Sequence, residues 1–226
     1  MYKYFKRVSD FTLALISTTV LLIFLLPVIA GLLLTGEGHV FYFQERVGKN
    51  KKRFQIWKFA TMLKDSVNMK GGLITTKNDP RITPMGGFLR KSKINELPQL
   101  INIIKGDMSF VGPRPVMPKS FEVYPKETQS FIYNVTPGLT GMGSLIFSDE
   151  EELITKVKDT GKDTWEFYQK EIYPFKGELE RFYQENFGLL TDIKIFIATA
   201  IKVIFPSKKL PYYFFPKAPR KEFKIR

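Results

Sequence analysis

A long stretch without a charged side chain constrains this chain more than any other feature of its sequence. Residues 11–36 are mostly Leu, Ile, Val, Phe and Ala, and the nearest charges are Asp10 and Glu37. A stretch of this length is long enough for a helix in the apolar core of a bilayer, so we expect a membrane helix. A secretory signal fits less well because no small-residue cleavage pattern follows. A buried core helix is the remaining alternative.

The flanks of this stretch, and a proline inside it, bear on how it sits in a membrane. Basic residues stand on both sides, at positions 3, 6 and 7 and at positions 46, 49, 51, 52 and 53. Because an excess of Lys and Arg marks cytoplasmic flanks, this distribution does not favour a crossing. Pro27 removes a backbone hydrogen bond near the middle and favours a kink there. We expect both ends on the cytoplasmic side, with a kinked spanning helix as the alternative.

Composition limits the chemistry that the chain can perform. With 226 residues, 44% of them hydrophobic, it is long enough for one domain without disulfides. The absence of cysteine excludes a thiolate nucleophile and any zinc site that uses cysteine. The one histidine, His39, is interpreted as a polar turn residue. An enzyme built from this sequence would therefore depend on carboxylates, Lys, Arg and a hard cation.

The charge balance indicates an anionic partner. The chain has 35 Lys and Arg against 22 Asp and Glu, a net charge of +13. Such an excess favours nucleic acid, acidic lipid or a phosphorylated substrate. The uncharged stretch at residues 11–36 argues against a nucleic-acid binder. A non-catalytic membrane scaffold remains an alternative, because it would need only the apolar stretch and the basic surface.

The segment from residue 91 to residue 106 is the centre of the candidate site. Apolar residues recur at helical spacing, and Gly106 is placed to end the helix. Asn95 is predicted as the N-cap, with Pro98 in the first turn, where a missing N–H costs little. Arg90 stands just before this helix start, with Lys91 and Lys93. Backbone donors and nearby positive charge make such a helix start favourable for a phosphate.

The other segments are predicted more coarsely. Residues 38–59 alternate aromatic and polar side chains around a Gly-Lys-Asn-Lys-Lys turn, which predicts a hairpin or two extended strands. Turn signals follow at residues 71–72 and 78–80. Residues 150–173 are predicted to be helical with an interruption at Gly161, beginning at an acidic helix start capped by Ser148. Residues 177–183 are predicted to form another short helix. Residues 189–205 are predicted to form an apolar helix that lies either in the membrane interface or in the core. The tail, residues 207–226, interleaves basic and aromatic side chains, as suits an anionic lipid surface.

Three motifs in fixed order carry a family resemblance. Glu-Leu-Pro-Gln-Leu-Ile-Asn begins at Glu96, Lys-Gly-Asp-Met-Ser at Lys105, and Val-Gly-Pro-Arg-Pro at Val111. Together they resemble the core signature of the bacterial sugar transferases. More narrowly, they resemble the small monotopic polyprenyl-phosphate phosphoglycosyl transferases. The resemblance runs from about residue 6 to residue 205.

The resemblance implies an architecture and a location. The fold would be α/β and mostly helical: a compact monotopic membrane enzyme with interfacial amphipathic helices and a small β element. Residues 1–37 would form a re-entrant helix-break-helix with its break at Leu26-Pro27. Residues 38–206 would form the transferase domain, and residues 207–226 the basic aromatic tail of the same unit. Its place would be the cytoplasmic face of the bacterial inner membrane.

The resemblance also implies a reaction. A sugar 1-phosphate would pass from a nucleoside diphosphate sugar, expected to be a uridine diphosphate sugar, to undecaprenyl phosphate, and UMP would leave. This step initiates polysaccharide or glycoconjugate synthesis. Glu96 would hold Mg²⁺, and the substrate phosphates would be bound by Lys58, Arg81, Arg90 and Arg114. The turn Gly112-Pro113-Arg114-Pro115 is rigid and sets the direction of Arg114. Anionic membrane lipid is a further expected partner; the oligomeric state is not predicted.

The sequence departs from the family pattern at the residue that would perform the chemistry. The family carries Asp-Glu-Leu-Pro-Gln with the Asp as nucleophile, whereas this chain has Asn95 before Glu96. An amide cannot form the acyl phosphate. Three alternatives follow. Glu96 is the nucleophile, or the lipid phosphate attacks directly while Asn95 positions an oxygen. Alternatively, the chain is a catalytically impaired homologue or a trapped variant that acts as a membrane-bound binding or scaffold protein. Ala60 stands where the family usually has an Arg. The segment after Gly141 also lacks an Arg that is usual in the family.

Overall fold

The first element is a long apolar helix, α1 (Tyr2–Leu34). The computed structural model describes residues 1–35, 37–66, 68–69, 75, 78–205, 207 and 209–223, so the turn predicted at residues 71–72 lies outside the described residues. Pro27 lies inside α1, and the helix continues on both sides of it. The structure therefore does not confirm a break at Leu26-Pro27. A proline removes a single backbone bond, and the residues around it pack against the protein, which holds the helix together.

One face of α1 rests on the rest of the protein along the length of the helix. Ala14 packs in a cluster with Leu100 and Ile103, and Leu32 packs with Phe59 and Leu89. The other face exposes large apolar side chains, at positions 13, 15, 16, 20, 22, 23, 24, 26, 33 and 34. Within the described residues, α1 is the one helix long and apolar enough to cross a membrane.

The predicted hairpin is confirmed. Strands β1 (Phe41–Val47) and β2 (Arg53–Phe59) are antiparallel, with Phe41 opposite Phe59 and Val47 opposite Arg53. A 3₁₀ turn at Lys49–Lys51 joins them. Asn50 and Lys51 have positive φ angles of 54° and 62°, as tight hairpin turns require.

The central segment divides into three pieces: α2 (Pro84–Lys91), a 3₁₀ turn (Ile94–Glu96) and α3 (Gln99–Lys105). The prediction of Asn95 as N-cap is wrong, because Pro98 caps α3 and Asn95 is buried inside the 3₁₀ turn. The physical reason is Lys93, whose left-handed backbone starts a separate turn before the helix. Gly106 ends α3 as predicted, with φ of 92°.

A second sheet, which the sequence did not predict, holds the segment after α3. Strands β3 (Ser109–Val111) and β4 (Gly138–Thr140) are parallel, with Ser109 opposite Gly138. A Cβ atom on Gly138 would lie 2.1 Å from the backbone nitrogen of Gly112, so the two segments approach too closely for a side chain. This contact fixes the Gly112-Pro113 turn beside the site.

Helices complete the protein, and most of its core lies among them. They are α4 (Pro118–Val123), α5 (Lys126–Phe131), α6 (Met142–Ile146), α7 (Glu150–Asp159), α8 (Thr164–Phe167), α9 (Tyr173–Glu185), α10 (Leu189–Ile204) and α11 (Leu210–Phe214), with a π turn at Tyr168–Ile172. Asp149, not Ser148, is the N-cap of α7, so that cap prediction is wrong. The chain reaches the N-cap position one residue later, and the Asp149 side chain makes no capping bond. Gly161 interrupts the helical region as predicted, with φ of 77°.

Helix α10 has one face in the core and one face exposed. Ile195 and Ala198 are buried, whereas Leu190, Phe196 and Ile204 are among its exposed apolar residues. A buried ionic cluster joins α10 to α1: Asp192 accepts hydrogen bonds from Tyr2 Oη (2.5 Å), Lys6 Nζ (2.6 Å) and Tyr183 Oη (2.9 Å). Two exposed apolar helix faces therefore belong to elements that are fastened together.

The tail is only in part a surface segment. Phe215 and Ala218 are buried in the main core cluster, and Phe223 packs against it. The prediction that the tail aromatics face a lipid surface is therefore wrong for Phe215, because the core of the helical region accepts its ring. Tyr213 is exposed, as expected for a surface residue. Residues 206, 208 and 224–226 lie outside the described part.

Candidate active site

Three predicted site residues from distant parts of the chain meet around one carboxylate. Lys58 comes from the end of β2, Glu96 from the 3₁₀ turn before α3, and Arg114 from the turn after β3. Lys58 Nζ lies 3.1 Å from Glu96 Oε1, and Arg114 Nη2 lies 2.5 Å from the same oxygen. Arg114 Nη1 reaches Oε2 at 3.5 Å. Both oxygens of Glu96 are thus engaged by cations.

The backbone around this group is held by buried polar contacts. Asn102, fully buried on α3, accepts a hydrogen bond from the Trp57 backbone N–H at 3.0 Å and donates to the Gln55 carbonyl at 2.8 Å. This pair of bonds fixes β2 beside α3, and with it the position of Lys58. On the other side, Tyr133 Oη donates to the Arg114 carbonyl at 2.9 Å. The cations are therefore preorganised rather than free to rotate.

Burial and neighbouring charges shift the acidity of the site residues. Burial alone would favour the neutral acid at Glu96, but Arg114 and Lys58 hold the pKa of this carboxyl well below its usual range. Burial, together with the charges of Arg114 and Arg46, lowers the pKa of Lys58 to about 8, and Glu96 limits that fall. Near neutral pH both Lys58 and Glu96 are ionised.

Arg46 is a site residue that the sequence analysis did not assign. It lies half-buried on β1, where its guanidinium donates to the Pro115 carbonyl at 3.2 Å and to the Gln44 side chain. Burial and the charge of Arg114 lower the pKa of Arg46 to about 10. The segment Gln44-Glu45-Arg46-Val47-Gly48 is the sequence signal from which this residue could have been found.

A cleft of about 440 Å³ opens beside these residues. Lys58, Arg46 and Arg90 supply positive charge to its wall, and Leu32 of α1 lies at its apolar part. Aromatic side chains of β1 line the same part: Phe41, Tyr42 and Phe43. The cleft thus combines a basic wall with an apolar part next to the long helix.

Asn95 faces this cleft from the 3₁₀ turn. The residue is 7% exposed, and its Oδ1 atom is buried without a hydrogen-bond partner among the described residues. A buried amide oxygen without a partner is costly unless a ligand or water satisfies it. The position is therefore suited to a substrate donor or a cation.

Arg90 and Arg81 both line the cleft, but they differ in exposure and in the groups that they contact. Arg90 is paired with Glu151 of α7 and is partly exposed, so an incoming anion can compete for its guanidinium. Arg81 is 2% exposed, and two of its nitrogens contact the Asp79 carboxylate at 2.8 and 2.6 Å. It also donates to the Ser66 carbonyl at 2.8 Å. This geometry favours a role for Arg81 in holding the loop that borders the cleft.

The residues beside the cleft can supply part of a metal site. Within the described ranges, no group of three or more His, Cys, Asp or Glu side chains could hold an ion by itself. The acidic start of α7 is engaged elsewhere: Glu150 pairs with Lys176, and Glu151 with Arg90. Glu96 and the Asn95 amide oxygen remain as hard oxygen donors beside the cleft. Such a set fits an ion like Mg²⁺, which takes one or two protein oxygens and completes its shell with substrate oxygens and water.

Comparison with known proteins gives consistent matches. Residues 1–206 match the family described as bacterial sugar transferase. A putative undecaprenyl-phosphate N-acetylgalactosaminyl 1-phosphate transferase of Bacillus subtilis (strain 168) is 39% identical over 137 residues, covering 61% of this chain and 76% of that protein. The UDP-glucose:undecaprenyl-phosphate glucose-1-phosphate transferase of Escherichia coli (strain K12) is 33% identical over 203 residues, 87% of this chain and 39% of that protein. The exopolysaccharide production protein ExoY of Sinorhizobium fredii is 29% identical over 208 residues, 86% of this chain and 83% of that protein. The chain thus spans most of two of these relatives and well under half of the third.

Proposed function

This chain belongs to the bacterial sugar transferase family, and on that premise we propose that it is a phosphoglycosyl transferase. It moves a sugar 1-phosphate from a uridine diphosphate sugar to undecaprenyl phosphate, with release of UMP, as the first step of polysaccharide or glycoconjugate assembly. The observation that carries the proposal is the Lys58–Glu96–Arg114 group beside the cleft, in a chain matched to the family over residues 1–206. The names of the relatives reported above give no support to the alternative of an impaired binding protein.

Cations on the cleft wall and beside it would bind the phosphates. Lys58, Arg90 and Arg114 are the proposed ligands, and Arg46 adds a fourth charge close by. Arginine suits this task because its planar guanidinium meets two phosphate oxygens at once. Substrate phosphate would replace Glu151 at Arg90, while Arg114 stays oriented by its bond to Glu96. Arg81 would act on the shape of the cleft through Asp79 rather than touch the substrate.

We propose Mg²⁺ as the cofactor, held by Glu96 and by the amide oxygen of Asn95 together with diphosphate oxygens. When bound, the ion would neutralise the charge that develops on the leaving phosphate. The protein's own part is to keep Glu96 ionised, which the charges of Lys58 and Arg114 ensure. The same two cations hold the carboxylate in one orientation before substrate arrives.

A monotopic arrangement at the cytoplasmic face is the proposed membrane orientation. Helix α1 contacts the protein from Tyr2 at one end to Leu32 at the other, so it cannot cross a core of about 30 Å upright without drawing the protein in. Its exposed apolar face, and that of α10, would instead enter the bilayer from one side. Basic tail residues such as Arg220 would contact anionic lipid. The apolar part of the cleft, at Leu32, then opens toward the lipid substrate.

The test is UMP release by the purified full chain in detergent. Undecaprenyl phosphate, Mg²⁺ and a panel of uridine diphosphate sugars would be supplied, with and without a chelator. We expect release that requires both lipid and metal for at least one sugar, and its loss in Glu96→Gln. Glu178→Gln, an exposed change on α9, is the matched control and should retain activity. Absence of lipid-dependent release across the panel would refute the proposal.

A further inference from the structure

We infer that this chain transfers the phosphosugar directly from nucleotide to lipid, in a complex that holds both substrates, without a covalent enzyme intermediate. The inference rests on the proposed function and concerns how the same cleft performs it. It follows from which side chains face the cleft and how each is engaged. It also assigns a role to Asn95, as a neutral catalytic residue that orients an oxygen of the reacting group.

Within the described part of the chain, the cleft is lined by one carboxylate alone, Glu37. This residue is exposed and accepts a hydrogen bond from the Lys64 backbone N–H. Asn95 lines the same cleft as Lys58 and Arg90, and its side chain is an amide. An amide is neutral, and its nitrogen is a poor nucleophile toward phosphorus. The position at which the family pattern has its nucleophilic Asp thus carries no nucleophile in this chain.

Glu96 is close by, but its carboxylate is held by two of the cations proposed to bind the phosphates, and it is also the proposed Mg²⁺ ligand. Its Oε1 atom contacts both Lys58 and Arg114, and its Oε2 atom faces Arg114. An attack by Glu96 would separate it from both cations at the moment when they are needed to hold the phosphates.

Hydroxyl groups on the cleft wall are poor substitutes. Thr83 already accepts a hydrogen bond from the Gly86 backbone N–H at 3.0 Å, as the cap of α2. Thr61 is buried and contributes its carbonyl to the Thr83 backbone N–H. His39 is exposed. Tyr42 lies opposite Lys58 in the hairpin and lines the cleft, but burial raises the pKa of its hydroxyl, which disfavours the nucleophilic phenolate.

Charge favours the presence of both substrates at once. A carboxylate at position 95 would repel a second anion brought to the diphosphate, and the amide removes that repulsion. Lys58, Arg46 and Arg90 on the wall, together with the proposed Mg²⁺, would offset the charge of a diphosphate and a monophosphate. The amide nitrogen of Asn95 can orient the reacting group by donating a hydrogen bond to a phosphate oxygen.

The step balances without a further reactant. An oxygen of the lipid phosphate attacks the β-phosphorus of the nucleotide sugar and forms a new P–O bond. The bond from that phosphorus to the bridging oxygen breaks, and UMP leaves with the electron pair. The total charge of the two products equals that of the two substrates, so no proton has to be delivered by the protein.

Isotope exchange tests the inference on the unaltered full chain. Labelled UMP and an active uridine diphosphate sugar would be incubated with enzyme and Mg²⁺ but without lipid, and label in the nucleotide sugar would be counted. We expect no exchange and no burst of UMP, and intersecting double-reciprocal plots once lipid is added. Asn95→Asp, which places a carboxylate at the same point, should gain exchange.

Exchange or a stoichiometric UMP burst by the unaltered chain without lipid would overturn the inference, whichever residue formed the intermediate. Parallel double-reciprocal plots would do the same. In either case lipid-dependent turnover would still stand, and with it the proposed function. Absence of lipid-dependent UMP release would instead refute the proposed function, and the inference with it.

Discussion

Glu180 offers a measurable test of how the helical region supports the site. This carboxyl group lies on α9, is 3% exposed, and receives a hydrogen bond from the Gly143 backbone N–H at the start of α6. Its Oε2 atom has no partner among the described residues. Burial raises the pKa of Glu180 from 4.5 to about 7, although Gly143 and Lys176 oppose the shift.

The sign of the effect follows from the two states. Between the two pKa values the folded protein keeps the proton while the unfolded chain loses it, so the free energy of unfolding falls as the pH rises. At about 1.4 kcal/mol for each pH unit, the whole effect is about 3 kcal/mol, of which about 2.5 kcal/mol falls between about pH 5 and about pH 8. The contribution of Glu180 to the free energy of unfolding is fully present below its pKa in the unfolded chain, 4.5. It is lost as the pH rises through its pKa in the folded protein, about 7.

Glu180→Gln removes the titration while keeping the shape of the side chain. Relative to the unaltered chain, the variant should gain about 2.5 kcal/mol of unfolding free energy on going from about pH 5 to about pH 8. Urea unfolding in detergent, followed by the fluorescence of Trp165 and Trp57, measures this difference. Glu178→Gln on the exposed face of α9 is the control and should change the unfolding free energy equally at both pH values. A Glu180→Gln difference that does not vary with pH would refute the reasoning.

Three further predictions concern the site and its supports. Asp192→Ala removes the 2.6 Å partner of buried Lys6, leaving a 3.9 Å contact with Asp10, and should lower the unfolding free energy by about 3 kcal/mol in the same urea assay. Asn102→Ala strands the Trp57 N–H and should cost about 2 kcal/mol, with a fall in kcat because Lys58 is displaced; an unchanged kcat would contradict this. Because the pKa of Lys58 is about 8 and phosphate binding needs its charge, kcat/KM for the nucleotide sugar should fall above about pH 8. Lys58→Arg should remove that alkaline fall, and a profile identical to that of the unaltered chain would exclude Lys58 as its source.

Local patterns in the sequence predicted the elements that depend on neighbouring residues. The hairpin followed from alternation around a Gly-Lys-Asn-Lys-Lys turn, and Gly106 ended α3 because a left-handed cap favours glycine. The predictions of Asn95 and Ser148 as helix N-caps were wrong because each helix begins at a later residue. Lys93 takes the left-handed conformation and starts an extra turn, so Asn95 becomes a buried cleft residue instead of a cap.

Contacts between segments that are distant in the chain could not be predicted from such local patterns. The β3–β4 pair joins residues far apart in the chain, and its close approach depends on two glycines whose spacing carries no strand signal. The meeting of Lys58, Glu96 and Arg114 followed from the family resemblance and not from periodicity. Arg46 was missed because a single arginine on a strand is usually a surface residue, and only the fold turns it toward Arg114.

Transfer of the sugar together with its phosphate is the central claim, and a doubly labelled donor tests it most directly. A uridine diphosphate sugar with one label in the sugar and another in the β-phosphate would be incubated with the full chain, Mg²⁺ and undecaprenyl phosphate. The lipid product would then be extracted and its two labels counted. We expect both labels in the lipid in equal amounts, with UMP as the released nucleotide. Sugar label in the lipid without the phosphate label, with release of UDP, would contradict the account.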